Sequence, residues 1–238
     1  RLAVTSVAAH VASLVGSDLG SKVGYKIRFH SRVSASTELK FMTSGILLRE
    51  METDPWLKKY SVIIIDEAHE RSLDIDLLLG MLKRLLAQRP DLNIVVMSAT
   101  IAAEKFIEFF GGDEKVAHVQ VRGKSFPVEV IYLERDLPSG EMIPTVVKTI
   151  NSLHQSKGAG GILVFLAGKD DISLTVKRLI KCELPDAMLI PLYGGVESID
   201  PLIVFGNVPG KRKIFLATNI AETSLTLEGV KYVVDTGD

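Results

Sequence analysis

The sequence predicts an α/β fold of parallel sheets flanked by helices. Three observations carry this reading. Short apolar runs rich in Val and Ile recur along the chain, they are continuous rather than alternating, and longer amphipathic stretches lie between them. Parallel strands covered on both faces read as continuous apolar runs, and strands that alternate with helices form right-handed βαβ units. The composition is globular, with 238 residues, 47% apolar and 24% charged, which excludes intrinsic disorder. At about 100–200 residues per domain, the chain holds one large or two compact domains.

Arg1–Ala8 reads as the start of a helix. Ser61–Ile65 is the first run with the pattern of a buried strand. Leu73–Gln88 carries apolar residues at 75, 78, 79, 82, 85 and 86, with Pro90 just beyond, which is helical periodicity with a stop. Ile94–Met97 is a second strand, and Ala102–Phe110 a helix that ends at Gly111-Gly112. Val121–Val130 then breaks the periodicity with Arg122-Gly123-Lys124 and Phe126-Pro127. A boundary there divides the chain into residues 1–122 and 123–238. In the second part Ile143–Leu153 and Asp170–Ile180 read as helices. Ile162–Leu166, Met188–Leu192, Ile214–Ala217 and Tyr232–Val234 read as strands. No repeat of 20–50 residues and no low-complexity tract interrupts the pattern. The expectation is two α/β lobes of similar size with a cleft between them.

Composition excludes several function classes. Lys+Arg is 28 and Asp+Glu 29, for a net charge of -1. That excludes a histone-like polycation but permits a local basic groove for nucleic acid. The longest apolar runs, such as Val62-Ile63-Ile64-Ile65, fall far short of the roughly 18–20 residues that span a bilayer, so no membrane partner is expected. A single cysteine, Cys182, excludes an intrachain disulfide framework and a cysteine zinc cluster. His10, His30, His118 and His154 show no metal-ligand spacing. The chain begins at Arg1 and stops at Asp238 directly after an apolar strand. No leader pattern is read at the start, and a fragment of a longer chain is expected.

The strongest local signal is Ile63-Ile64-Ile65-Asp66-Glu67-Ala68-His69-Glu70-Arg71. An apolar strand runs straight into two adjacent carboxylates. Ligands of parallel sheets bind beyond the carboxyl ends of the strands. One carboxylate there suits Mg²⁺ on a nucleotide, a hard ion that prefers oxygen. The second suits a base that orients and polarises water. Lys22, Lys26, Arg28 and Arg32, interleaved with Tyr25 and Phe29, form a basic stretch that reads either as a nucleic-acid edge or as a solvated charged strand.

Asp66-Glu67-Ala68-His69 is the name-giving motif of the DEAH-box helicases, a branch of the superfamily 2 ATPases, and the resemblance covers nearly the whole chain. Ser98-Ala99-Thr100 resembles their motif III, Ala217-Thr218-Asn219-Ile220-Ala221-Glu222-Thr223-Ser224-Leu225-Thr226 their motif V, and Val233-Val234-Asp235 their motif Va. Val23-Gly24-Tyr25, Ile27-Arg28-Phe29 and the run Lys40–Glu50 resemble the segment between motifs Ia and II. Ile162–Leu166 and Pro191-Leu192-Tyr193-Gly194 match the second lobe. The resemblance implies two RecA-like lobes, both incomplete. The first holds motifs Ia, II and III, and the second motifs IV, V and Va.

The implied activity is ATP hydrolysis coupled to movement along RNA, with ATP and Mg²⁺ as cofactors and single-stranded RNA held through its backbone. The resemblance places Asp66 and Glu67 at the metal site, with Asp66 binding Mg²⁺ through water and Glu67 acting as the base or water-orienting group. It makes His69 a sensor of the γ-phosphate side, and Ser98 and Thr100 the link from His69 to the second lobe. It places Ser224, Thr226 and Glu228 at nucleotide phosphates and ribose, and Phe205 and His10 at the base. It places Arg1, Thr43, Thr218 and Asn219 at the RNA backbone. An activating protein partner and nuclear, nucleolar or cytoplasmic localisation are family expectations. A non-catalytic helicase-derived RNA-binding or scaffold protein, and a helicase acting on DNA, remain alternatives.

The chain departs from the family pattern at three places. Thr43-Ser44-Gly45 stands for Thr-Asp-Gly, His10 for an arginine that stacks on adenine, and Ala167-Gly168-Lys169-Asp170 for Thr-Gly-Gln-Glu. Gly-x-x-x-x-Gly-Lys-Ser/Thr occurs nowhere in the 238 residues, nor does the family's arginine-rich motif VI. The 238 residues alone are therefore expected to turn over ATP slowly or not at all.

Overall fold

The computed structural model describes residues 2–99, 103–121, 123, 126–138, 140–156, 158–193, 203–204, 206, 208–218 and 227–237. They fall into two compact units, Ala3–Val128 and Glu129–Asp238.

The first unit opens with α1 (Leu2–Val15) and a three-stranded sheet of β1 (Val23–Ile27), β2 (His30–Arg32) and β3 (Leu39–Met42), in the order β2-β1-β3. The helix α2 (Ser44–Thr53) follows. Next come β4 (Val62–Ile65), a 3₁₀ turn at Ala68–Glu70, α3 (Leu73–Leu86), β5 (Asn93–Val96) and α4 (Ala103–Phe110). β1 and β3 are parallel, as are β4 and β5. β2 departs from the all-parallel expectation, because it returns antiparallel to β1 with Ile27 opposite His30. Only the two residues Arg28-Phe29 join them, and a connection that short permits only an antiparallel pair. Phe29 takes φ 67° to close the turn.

Local chemistry explains α3. The Ser72 side chain accepts the Ile75 N–H at 3.4 Å, Asp74 and Asp76 lie in the first turn, and Lys83 and Arg84 in the last. A cap at one end and complementary charge at both ends favour the helix. Its buried stripe, including Leu78, Leu79, Leu82 and Leu85, packs in one cluster with Leu47 and Met51 of α2 and Ile63 and Ile65 of β4. β4 also corrects a sequence expectation. Ile63 and Ile65 are buried, but Val62 and Ile64 are 47% and 51% exposed. A two-stranded sheet with helices packed against one side buries only alternate residues, so the continuous apolar run does not report burial on both faces here.

The second unit contains α5 (Met142–Ser156), β6 (Gly161–Phe165), α6 (Lys169–Lys181), β7 (Ala187–Leu192), β8 (Arg212–Ala217) and β9 (Val230–Asp235). Its sheet has the order β7-β8-β6-β9, with every pair parallel. Here the central strands are buried on both faces. Ile162, Val164, Ile214 and Leu216 pack with Ile143, Val146 and Ile150 of α5 and Ile172 and Leu179 of α6. Leu163, Phe215, Ala217, Ile190 and Leu192 face the other way and enclose Val204. Residues 116–121 and 126–133, near the division between the units, carry no helix or strand, and Val119, Phe126 and Tyr132 are 81%, 87% and 85% exposed.

Candidate active site and nucleic-acid edge

The chain leaves β4 and turns sharply. Glu67 adopts φ 51°, ψ 38° and Arg71 φ 49°, ψ 35°, so two left-handed non-glycine residues bracket the turn Ala68–Glu70. Such a conformation costs roughly 1–2 kcal/mol per residue and persists only where surrounding contacts enforce it. Those contacts are present. Buried Ala68 donates its N–H to the Met97 carbonyl at 3.0 Å, and Met97 donates to Ile65 at 2.8 Å. Arg71 grips Asp76 with two bonds of 2.6 and 3.0 Å. The turn after β4 is thereby stitched to the loop after β5.

This brings together the residues expected to act on a nucleotide. The Glu67 N–H donates to Asp66 Oδ1 at 2.9 Å. Glu67 Oε2 lies 3.3 Å from His69 Nδ1, and the Ala99 N–H points at the same nitrogen from 3.3 Å. Ser98 is exposed beside Ala99, and Thr100 lies outside the described residues. Burial pushes the Glu67 carboxyl above the usual carboxylate range. Asp66 raises it further, and His69 partly opposes them. A raised pKa makes the carboxylate a better proton acceptor.

Asp66 is exposed at the strand end and offers hard oxygen. No group of three or more His, Cys, Asp or Glu side chains is placed to hold a metal among the described residues. One or two carboxylates completed by water and phosphate oxygens suit Mg²⁺, so the donor set fits that ion on a nucleotide.

The first unit also carries the basic stretch. The Arg28 guanidinium sits 4.8 Å over the Phe29 ring, which is 88% exposed at the hairpin tip. Tyr25 stacks on His30 at 5.6 Å, and the Tyr25 hydroxyl bonds His30 Nδ1 at 2.7 Å. Lys26 does not face solvent freely, because it pairs with Glu50 at 2.8 Å. Lys40 and the Tyr60 hydroxyl join the same carboxylate at 3.0 and 2.5 Å. Burial alone would raise the Glu50 carboxyl, but the bonds from Lys26, Tyr60 and Lys40 hold it at about 2. Sequence reasoning missed this hub, since nothing in the spacing of residues 26, 40, 50 and 60 brings them together. Thr43 stands at the N-cap of α2, where its hydroxyl makes no capping bond. His10 is exposed on α1.

In the second unit, Thr218 follows β8 at the carboxyl edge of the sheet and donates its N–H to Leu192 at 3.1 Å. Lys169 begins α6 on the same edge, 5.5 Å from the Tyr193 ring. Glu228 lies just before β9, at the opposite edge. It borders a cleft of about 730 Å³ lined also by His154, Asp186, Gly206, Arg212 and Lys213. Lys213 donates to Val204 at 2.8 Å and to Gly206, and burial lowers its pKa against the pull of Glu228. Arg212 donates to Leu153 at 2.8 Å and to Gly158. The structure thus separates Thr218 from Glu228. Arg1, Phe205, Asn219, Ser224 and Thr226 lie outside the described residues.

No family model matches the chain. Known proteins match it from end to end. It is 42% identical over 244 residues to the pre-mRNA-splicing factor ATP-dependent RNA helicase prp22 of Schizosaccharomyces pombe, covering 100% of this chain and 20% of that protein. It is 40% identical over 254 residues to the probable ATP-dependent RNA helicase DHX35 of Homo sapiens, covering 100% of this chain and 36% of that protein. The crystal structure of the Escherichia coli DEAH/RHA helicase HrpB matches with a TM-score of 0.86 at 36% identity, over 99% of this chain and 30% of that one. The chain therefore spans between a fifth and about a third of the length of these proteins. Its parallel sheets flanked by helices have the RecA-like helicase fold. With this match over its whole length, and with Asp66-Glu67-Ala68-His69 at the end of a parallel strand, the chain belongs to the DEAH-box helicase family.

Proposed function

We propose that the chain is part of an ATP-dependent RNA helicase, which uses ATP hydrolysis to move along RNA and to unwind or remodel it. The observation that carries this reading is the cluster of Asp66, Glu67, His69 and Ala99 at the carboxyl ends of β4 and β5. Asp66 would hold Mg²⁺ through water, and that ion supplies charge neutralisation at the phosphates. Glu67 orients the attacking water and takes its proton, a role its raised pKa favours. His69 connects Glu67 to Ala99 in the loop after β5, and Ser98 and Thr100, its neighbours in the sequence, would carry a change at Glu67 onward. Glu228 would meet ribose or phosphate from the cleft it borders in the second unit, and the resemblance assigns Ser224 and Thr226 to ribose and phosphates and Phe205 and His10 to the base.

RNA would contact Arg1, Thr43 and the Arg28-Phe29 tip in the first unit, and Thr218 and Asn219 in the second. Hydroxyls and guanidinium groups on phosphate position a strand without reading its sequence. A place in RNA processing accords with the pre-mRNA-splicing-factor name of one relative; an activating protein partner and a nuclear, nucleolar or cytoplasmic location are carried over from the family resemblance alone. The test uses a longer chain that includes a phosphate-binding loop, with the 238 residues alone as the low-activity control. Glu67→Gln should lower RNA-stimulated ATP turnover by about 10²–10⁴-fold. An unchanged rate removes Glu67 as the base.

A further inference from the structure

Glu50 is where the strands of the first unit's basic edge are tied together. Its carboxylate accepts from Lys26 of β1 at 2.8 Å, from Lys40 of β3 at 3.0 and 3.1 Å, and from the Tyr60 hydroxyl ahead of β4 at 2.5 Å. The Lys40 ammonium also lies 4.8 Å over the Tyr60 ring. The side chains of Glu50 and Lys40 are 17% and 18% exposed, so their pairing is shielded from the screening that weakens surface ion pairs. Both lysines stand next to the proposed RNA contacts. Lys26 precedes the Arg28-Phe29 turn by two residues, and Lys40 precedes Thr43 by three. Glu50 also lines a cleft of about 360 Å³ with Ile27, Arg28, Phe29, Ile46 and Arg49. A bare carboxylate on a surface that meets phosphate would repel it. Three converging donors remove that repulsion and use up the donors in doing so.

We propose that Glu50 is a positioning residue for RNA, which fixes the Arg28-Phe29 turn and Thr43 in one arrangement and withholds Lys26 and Lys40 from phosphate. The proposal rests on the RNA-binding reading above. It divides the basic stretch in a way the sequence does not. Arg28 contributes to phosphate binding, whereas Lys26 and Lys40 hold the scaffold. Lys26 is the stringent case, because its side chain is 41% exposed and could reach a strand if Glu50 released it.

Counterion release separates these roles. Each phosphate contact on a single strand adds about 0.7 to the slope of log affinity against log salt. The experiment titrates the protein into fluorescent oligouridylate at several salt concentrations. Arg28→Ala should flatten the slope by about 0.7, while Lys26→Ala and Lys40→Ala leave it unchanged. Glu50→Gln should steepen it by about 0.7–1.4 as one or both lysines become free for phosphate. Tyr60→Phe removes one bond and no charge, and should leave the slope unchanged. A merely structural Glu50 would reduce the folded fraction without steepening the slope. Where Glu50→Gln does not fold, the two lysine variants still decide. A slope that Lys26→Ala flattens as much as Arg28→Ala does, or that folded Glu50→Gln leaves unchanged, overturns the positioning role alone. No salt-dependent binding by the unmutated protein overturns the RNA reading, and the positioning role falls with it.

Discussion

At the scale of single residues, three carboxylates show how differently a side chain can be legible. Asp66 and Glu67 could be singled out because an apolar strand runs into them, and a strand end in a parallel sheet is where ligands bind. Glu50 had no such marker, because its partners come from β1, β3 and the approach to β4. Its chemistry nevertheless predicts a measurable effect. The carboxyl is held at about 2, below its ordinary 4.5, so the folded state favours its charged form. That stabilisation is fully present above pH 4.5 and is lost as the pH falls towards 2. After discounting for solvent screening it amounts to about 1–2 kcal/mol. Melting the protein between pH 6 and pH 3 should show an acid limb that Glu50→Gln flattens. An identical acid limb in both proteins would show that the three donors add nothing to the folded state.

At the scale of elements, legibility followed burial. The strands of the second unit were readable because β6 and β8 are covered on both faces and therefore contain little but apolar residues. The hairpin was not. β2 is His-Ser-Arg with every residue exposed, and β1 contains a glycine. Gly45 in the first turn lowers the helix propensity of α2, which buries only Leu47 and Met51. Gly24 also supports the basic edge. A Cβ at that position would lie 2.4 Å from the Arg32 carbonyl oxygen and 3.0 Å from Val33 Cγ1. The first of these contacts is backbone, so the strand must move. Gly24→Ala should destabilise the first unit by about 1–3 kcal/mol, the usual range for overpacking. Hydrogen exchange at the amides of residues 23–32 should quicken, and oligouridylate affinity should fall. Unchanged exchange there would mean that β2 does not pack against β1 as closely as described.

At the scale of the whole molecule, the described residues form three apolar clusters, one in the first unit and two in the second, and a segment that joins none of them. Leu78 and Leu82 centre one core, and Ile162, Ile214 and Phe215 belong to those of the other unit. The division lies at Val128 and Glu129, close to where Arg122-Gly123-Lys124 and Phe126-Pro127 break the periodicity. That break was legible because Gly and Pro interrupt any repeating pattern. What the sequence hid is exposure, since Val119, Val121, Phe126, Val128, Ile131 and Tyr132 are apolar or aromatic and yet are all at least 80% exposed. Backbone without helix or strand bonds, carrying exposed side chains, opens at little cost, and proteases attack such backbone first. Limited chymotrypsin digestion should therefore cut first at Phe126, Tyr132 or Leu133, and limited trypsin digestion at Arg135. Either enzyme should leave two resistant pieces whose ends map to residues 117–138. Buried positions such as Leu82 and Phe215 should become accessible only when their own unit unfolds, so Leu82→Ala, costing about 2–5 kcal/mol, should make the first piece decay faster. First cuts inside Leu73–Leu86 or Gly161–Phe165 would contradict a division of the chain into these two units.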